Sequence, residues 1–349
     1  MTCLLVVFSF SIFEEKHKYN NSMVNLETTY LGLRLKNPLI AASSGLTNSI
    51  ENILEMAENG IGAVVLKSIF EEQIQSFGNK NNTISQDNEI NESKKYIQEH
   101  SAERILYDYL ELIVQAKQKT DIPVIASINC VSNQGWIDYA KKIESAGADA
   151  LELNIAILPS DPEVPGNENE KIILEIIDSV VKTVSIPVAV KISPYYSGLA
   201  NIIKRISQKD IQGLVLFNRF YTPDIDIEHQ EIKTSFVFSS PSDIALPLRW
   251  TILCSPWIKS DISASTGVYN GKGVIKLLLA GATTVQIATL LYKKGFREIS
   301  VLLNEIENWM ERHSYTTIEE YRGLMNAEIS SSSSAFERIQ FMKHYSGIE

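Results

Sequence analysis

Four stretches of this chain are built alike: DIPVIASIN (121–129), GADALELN (147–154), SIPVAVKIS (185–193) and GATTVQIA (281–288) each carry a turn straight into a nearly unbroken apolar run. A strand that is apolar at successive rather than alternate positions is covered on both faces, which is the situation of strands in a parallel sheet wrapped by helices. Each run gives way to helical periodicity, and the same alternation is readable eight times along the chain. Strands are expected at Pro38–Ala42, Ala63–Lys67, Val124–Ile128, Ala150–Leu153, Val188–Ile192, Gly213–Phe217, Asp261–Ser265 and Thr284–Ile287. The helices between them are expected near Ile50–Asn59, Ala102–Lys119, Trp136–Ala146, Lys171–Val184, Leu199–Ser207, Ile244–Leu253 and Lys272–Ala280, with Phe296–His313 closing. Eight such units predict an α/β fold closed into a parallel eight-stranded (β/α)8 TIM barrel.

The 349 residues accommodate one barrel of roughly 250 residues together with insertions and termini, and nothing demands a second domain. The barrel is expected over residues 23–325. Before it, Leu4–Phe13 (LLVVFSFSIF) resembles the apolar centre of a signal peptide but lacks a basic flank and a small-x-small cleavage site, and is too short to span a bilayer. Residues 1–22 are therefore expected to be an upstream translation start or a poorly ordered extension. Residues 326–349, with the serine run Ser330–Ser334, are expected to form a flexible tail. Two polar insertions interrupt the rhythm, Phe77–His100 after the second strand and Asn218–Pro241 after the sixth. Loops that follow barrel strands build the catalytic face, so each reads either as a lid or as a disordered loop.

A net charge of −10 without clustered Lys and Arg argues against nucleic acid and anionic membranes as partners and leaves a small molecule as the default ligand. The three cysteines, Cys3, Cys130 and Cys254, show no CxxC spacing. Neither a disulfide framework nor a zinc site is indicated, and the cytoplasm is the expected compartment. The five histidines are dispersed, so no metal site is expected.

The residues at strand C-termini are those a barrel aims into its site. They are Ser43, Ser44 and Gly45 after the first strand, Lys67 and Ser68 after the second, Asn129 and Cys130 after the third, and Asn154 after the fourth. Lys191 and Ser193 end the fifth, and Asn218 and Arg219 the sixth. Together they fit a flat ligand with polar edges that accepts electrons, because amides pair with both donors and acceptors and an ammonium stabilises developing negative charge. Asp261–Leu290 adds a strand, a glycine-containing turn, a helix and a strand. On its own this segment is equally an ordinary crossover or a phosphate cradle made by main-chain N–H groups at Ser265, Thr266 and Gly267 and at Ala288 and Thr289.

These motifs resemble those of the dihydroorotate dehydrogenase family of FMN-dependent barrels. NPLIAASSG is similar to the family's Asn-Pro…Ala-Ser-Gly opening, VLKS to its Thr-Lys-Ser strand end and LELN to its Glu-Leu-Asn strand end. PVAVKISPYY resembles its Pro-x-x-Val-Lys-x-x-Pro, and STGV…GATTVQIATLLYKKG its phosphate segment. The resemblance spans roughly Leu26 to Gly323. It implies FMN as cofactor, with Ser44 and Gly45 against the flavin, Lys67 near flavin and substrate, and Asn129 and Asn154 beside the ring or substrate. It also implies Lys191 at the pyrimidine edge, where its charge stabilises the reduced, anionic form, Asn218 at substrate or flavin, and Ser265–Gly267 with Ala288–Thr289 on the phosphate. Lys67, Asn154 and Asn218 are the implied substrate contacts, and a homodimer is expected by analogy.

Four departures qualify this picture. The family's proton-abstracting Cys or Ser, three residues beyond the strand-four Asn, is Ile157 here, and an alkyl side chain cannot accept a proton. The family's substrate loop after the second strand is replaced by the polar insertion. SSPSD (239–243) stands for a glycine-rich turn, and Val268 for the second glycine of Thr-Gly-Gly. Cys130, Ser160, Asp161 and Tyr195 are the substitute bases that the sequence offers, and no catalytic residue is assigned. The expected function is hydride transfer from a CH–CH bond of dihydroorotate, in pyrimidine biosynthesis, or of a related small substrate, to FMN; the electron acceptor is unknown. A flavoprotein with altered or lost substrate activity, a Schiff-base lyase using Lys67 or Lys191, and a non-catalytic barrel are the alternatives.

Overall fold

The computed structural model describes residues 24–72, 88–130, 132–220, 222–235 and 237–326. The expectations for residues 1–22 and for the tail beyond Asn326 lie outside these residues. Eight parallel strands close a barrel: β3 (Leu39–Ala41), β4 (Ala63–Val65), β6 (Val124–Asn129), β7 (Ala150–Asn154), β8 (Val188–Ile192), β9 (Gly213–Leu216), β12 (Asp261–Ser265) and β13 (Thr284–Ile287). Closure is made by β13, whose Val285 and Ile287 pair with Leu39 and Ala41 of β3. Both faces of the strands are buried, as their continuous apolar character requires. Outward side chains such as Val64, Ala126, Leu151 and Val190 pack in one large core with Ile53, Ile113, Trp136, Ile143, Ile177 and Ile203 from the surrounding helices.

The inward side chains form a second, smaller cluster of Ile40, Ala63, Val65, Ile125, Ala150, Ala189 and Val215. It is sealed from below by a hairpin, β1 (Thr28–Tyr30) and β2 (Leu33–Leu35), whose Tyr30, Leu31 and Leu35 join that cluster. Leu31 and Gly32 form its two-residue turn with φ of +55° and +75°, the left-handed conformation that tight hairpins require. The Leu31 N–H donates to Asp261 Oδ2 at 2.8 Å, tying the plug to β12. At Gly213 a Cβ would stand 2.4 Å from Leu31 Cδ2, so the absence of a side chain there is what admits the plug.

Helices α1 (Ile50–Glu58), α2 (Asn88–Lys119), α3 (Asn133–Ser145), α4 (Gly166–Val181), α5 (Leu199–Ser207), α6 (Ala245–Cys254) and α7 (Gly271–Leu279) connect the strands. A short α8 (Thr289–Lys294) and the final α9 (Glu298–Arg312) follow the last one. Two features correct the sequence reading. The helix expected at Ala102 begins at Asn88, so the later part of the first polar insertion is helical. Its run of Glu, Lys, Gln and Ala without Gly or Pro is helix-forming, and its polarity had masked that propensity. The second insertion is a hairpin, β10 (Thr222–Asp226) with β11 (Glu231–Ser235), in place of an irregular loop. Among the described residues no helix is long and apolar enough to cross a membrane.

The second barrel strand carries a bulge. Val65 pairs with Ile125, and the ladder resumes in β5 (Ile69–Phe70) with Ile69 opposite Ile128, so four steps on one strand match three on the other. The extra residue reverses inside and outside: Ser68, rather than Lys67, turns inward, where its Oγ lies 2.8 Å from Ser127 Oγ.

Truncating the plug should weaken the whole barrel. Leu31→Ala removes a side chain that is 1% exposed and is expected to cost about 3 kcal/mol, within the roughly 2–5 kcal/mol typical of buried Leu→Ala changes, read from the urea midpoint at unchanged helical circular dichroism.

Candidate active site

Because every barrel strand runs in the same direction, their C-terminal ends share one rim, and a cavity of about 420 Å³ opens there. That volume is in the range of sites for small ligands and cofactors, roughly 300–1,000 Å³. Ala42, Ser43 and Ser44 after β3, Phe217–Arg219 after β9, Ser265–Val268 after β12 and Gln286–Thr289 at the end of β13 form its walls, with Lys191 of β8. Phe238 and Ser239, on the return from the β10–β11 hairpin, and Tyr292 of α8 complete them.

Lys191 and Gln286 form a polar floor. Lys191 is 7% exposed and Gln286 1% exposed, and the Lys191 ammonium donates to Gln286 Oε1 at 3.0 Å. The Gln286 amide donates in turn to Glu152 Oε2 at 2.7 Å. Glu152, 1% exposed, lies behind the floor, with its Oε1 3.8 Å from Lys191 Nζ. The registers that place Lys191 beside Asn154 and Val215, and Gln286 beside Ser265 and Ile40, bring these side chains into the barrel from different strands.

At another wall the chain after β12 turns through Thr266 and Gly267 with φ of +89° and +78°. A Cβ on residue 267 would meet the backbone nitrogen of Ile244 at 2.1 Å, so only glycine allows this turn to rest on the start of α6. Thr289 Oγ1 accepts hydrogen bonds from the Ser239 backbone N–H at 3.3 Å and from Ser239 Oγ at 3.0 Å, which joins the SSPSD turn to the end of β13. Arg219 reaches this side with Nη1 on Val237 O at 3.0 Å and Nε 3.5 Å from Asp243 Oδ2. Val268 is buried and forms part of the wall. Tyr292 comes close enough to Gly45 that a Cβ there would lie 2.6 Å from its hydroxyl.

Of the residues given a cofactor or substrate role from sequence, Ser44, Lys191, Asn218, Ser265, Thr266, Gly267, Ala288 and Thr289 line this one cavity. Four others do not. Gly45 sits at its edge beneath Tyr292. Asn129 ends β6, half-buried, in the ladder opposite Phe70. Asn154 donates from Nδ2 to Ser68 Oγ at 3.1 Å, while its Oδ1 is enclosed without a hydrogen-bond partner. Lys67, displaced outward by the bulge, lines a separate cavity of about 600 Å³ between α1 and α2, with Ile50, Asp108, Tyr109 and Gln115. Ser68 borders that cavity and lies 3.1 Å from Ser43 Oγ, which belongs to the first.

The substitute bases are dispersed. Ile157 is packed against the core, and its carbonyl accepts from Ser193 Oγ at 3.3 Å. Ser160 and Asp161 are exposed, and Tyr195 stands out of the barrel against Phe220. Cys130 is buried, and burial first, then the carboxylates of Glu71 and Glu72, pushes its thiol far above the ordinary range. Glu71 is occupied at the start of α3, where it accepts from the Ser132 N–H at 2.8 Å and from Ser132 Oγ at 2.5 Å. Among the described residues that line the rim cavity there is no carboxylate, imidazole or thiol.

Sequence reasoning had not assigned Glu152, Gln286, Ser239 and Tyr292 to the site. A signal was present for the first two: LELN and VQI each set a polar residue inside a strand buried on both faces, and such groups must find partners in the interior. Nothing in the local pattern marks Ser239 or Tyr292.

Comparison with known proteins agrees with this architecture. A family model described as dihydroorotate dehydrogenase matches residues 25–310. The catalytic subunit of dihydroorotate dehydrogenase B (NAD(+)) from Thermoplasma acidophilum is 25% identical over 86% of this chain and 99% of its own length. The proteins of the same name from Thermoplasma volcanium and Pyrococcus horikoshii are 28% and 26% identical, each over 86% of this chain and over 99% and 97% of their own lengths. With the match running through the barrel from the plug hairpin to α9, this chain belongs to the dihydroorotate dehydrogenase family.

Proposed function

We propose that this protein is an FMN-dependent dehydrogenase that oxidises a CH–CH bond of dihydroorotate, in pyrimidine biosynthesis, or of a closely related small substrate. The observation that carries this reading is the rim cavity, which offers an ammonium and an amide on its floor and a glycine turn with hydroxyls at another wall. That donor set fits a heterocycle with polar edges joined to a phosphate. In this reading Lys191 and Gln286 meet the pyrimidine edge of the flavin, Ser44 and Gly45 lie against it, and Asn129 and Asn154 flank ring or substrate. Ser265–Gly267 and Ala288–Thr289 take the phosphate, and Asn218 serves the substrate, while Lys67 could reach it only from the neighbouring cavity into which the bulge turns it. The enclosed, unpartnered Asn154 Oδ1 favours a ligand donor at that point. Membership of a dehydrogenase family displaces the Schiff-base alternative. Because the relatives are named as NAD(+)-linked catalytic subunits, we take NAD+, reached through a second subunit, as the electron acceptor.

When bound, FMN supplies a two-electron acceptor for hydride. The chain itself must position the substrate and dispose of the proton released with the hydride. Ile157 cannot take that proton, and the Cys130 thiol stays protonated at neutral pH because of its burial. The proton is left to solvent or to a hydroxyl at the rim, a weaker arrangement than a positioned base, whose contribution is typically about 10²–10⁴-fold.

The purified protein is expected to be yellow and to release FMN on denaturation; a colourless protein that leaves added FMN unbound in equilibrium dialysis overturns the reading. Gly267→Ala should weaken FMN binding by about tenfold or more in the same assay, since the turn must move off Ile244. Flavin reduction by dihydroorotate in stopped flow is expected to be slow, and Ile157→Cys to speed it by about 10²-fold. Mass spectrometry after iodoacetamide treatment at pH 8 should find Cys130 unlabelled in the native protein and labelled once unfolded; rapid native labelling would reinstate it as a base.

A further inference from the structure

The cavity floor has a second layer that the assignment above leaves without a role. Glu152 does not line the cavity, yet it is the acidic group in contact with both floor residues. An ionised carboxylate only accepts hydrogen bonds, so Glu152 Oε2 fixes which end of the Gln286 amide faces it. The amide nitrogen points back to Glu152, and Oε1 is thereby turned to the Lys191 ammonium. One of the three ammonium donors is committed to that oxygen, and the position of Nζ follows from the position of the carboxylate behind it.

The second consequence concerns charge. Glu152 Oε1 accepts no hydrogen bond and lies 3.8 Å from Lys191 Nζ, in a part of the barrel where both side chains are nearly inaccessible to water. A negative charge held there acts on the cavity with little screening, and it opposes whatever negative charge the ammonium attracts.

Resting on the flavin reading, we propose that Glu152 is a positioning residue: it orients Gln286 and Lys191 toward the flavin and offsets the ammonium charge, so that reduced flavin is held less tightly, relative to oxidised flavin, than lysine alone would hold it. The strand register supplies the means. Glu152 and Asn154 both project inward from β7, and the ladder sets Glu152 beside Ala189 and Asn154 beside Lys191, so the carboxylate sits one inward position below the lysine.

The test uses the full-length protein. Glu152→Gln keeps the size and a hydrogen-bond acceptor for Gln286 but removes the charge, and Glu152→Met fills the same volume without a polar group. Apoprotein is titrated with oxidised FMN and, anaerobically, with reduced FMN, and the reduction potential of the reconstituted protein is read against a reference dye. For either variant the ratio of affinities is expected to move about tenfold in favour of reduced FMN, which is a positive shift of about 30 mV for a two-electron couple. A ratio within about threefold of wild type, or a shift toward oxidised FMN, overturns the role of Glu152 while leaving the flavin reading intact. A wild-type protein that binds neither form of FMN overturns both. A purely structural role would lower both affinities together and leave their ratio unmoved.

Discussion

The ladder between β13 and β3 is the constraint on which everything else rests. Once Val285 and Ile287 pair with Leu39 and Ala41, no barrel strand has a free edge, and every side chain of the eight strands faces either the helices or the closed interior. A polar group placed inside has no access to bulk water and must be satisfied by its neighbours, at a cost of several kcal/mol if it is not. The chain meets this demand by zoning. Small and branched apolar side chains fill the lower interior over the plug, and the upper interior holds Lys191, Gln286, Glu152, Ser68 and Ser127, which bond one another across strands.

The strands were legible because burial on both faces writes an unmistakable pattern: six of the eight have the expected limits, or differ by a single residue at one end. The plug hairpin was not, since three-residue strands leave too little pattern and its partner, Gly213, lies far away in the chain. The first part of α2, from Asn88 to Ser101, was hidden by polarity, since helix-forming residues without an apolar stripe look like loop. Within the site, eight of the proposed residues converge on one cavity because strand ends in a parallel barrel must converge. Lys67 diverges for a reason no local pattern announces: a bulge is a mismatch between two strands and cannot be seen in either one alone.

The departures from the family's motifs fall on loops, whereas Glu152, Lys191 and Gln286, which match, fall on strands. Ile157, the SSPSD turn and Val268 all follow strand ends, where the chain alters chemistry without disturbing the ladder. Lys191 and Gln286 are held by partners on other strands, so their replacement would expose the demand for compensation inside a closed wall. A site whose floor is bound into the barrel and whose rim is free to vary keeps its manner of ligand binding longer than its reaction.

The plug beneath the barrel also gives the described part of the molecule the form of a vessel, closed below and open at the rim. Tyr30, Leu31 and Leu35 close the far end, so whatever lies on the Lys191–Gln286 floor arrived through the rim and leaves by it. Ligands in such a vessel are stacked: the deepest is the first in and the last out, and anything seated above it is its stopper. Retention of a deep cofactor is thereby tied to occupancy of the mouth.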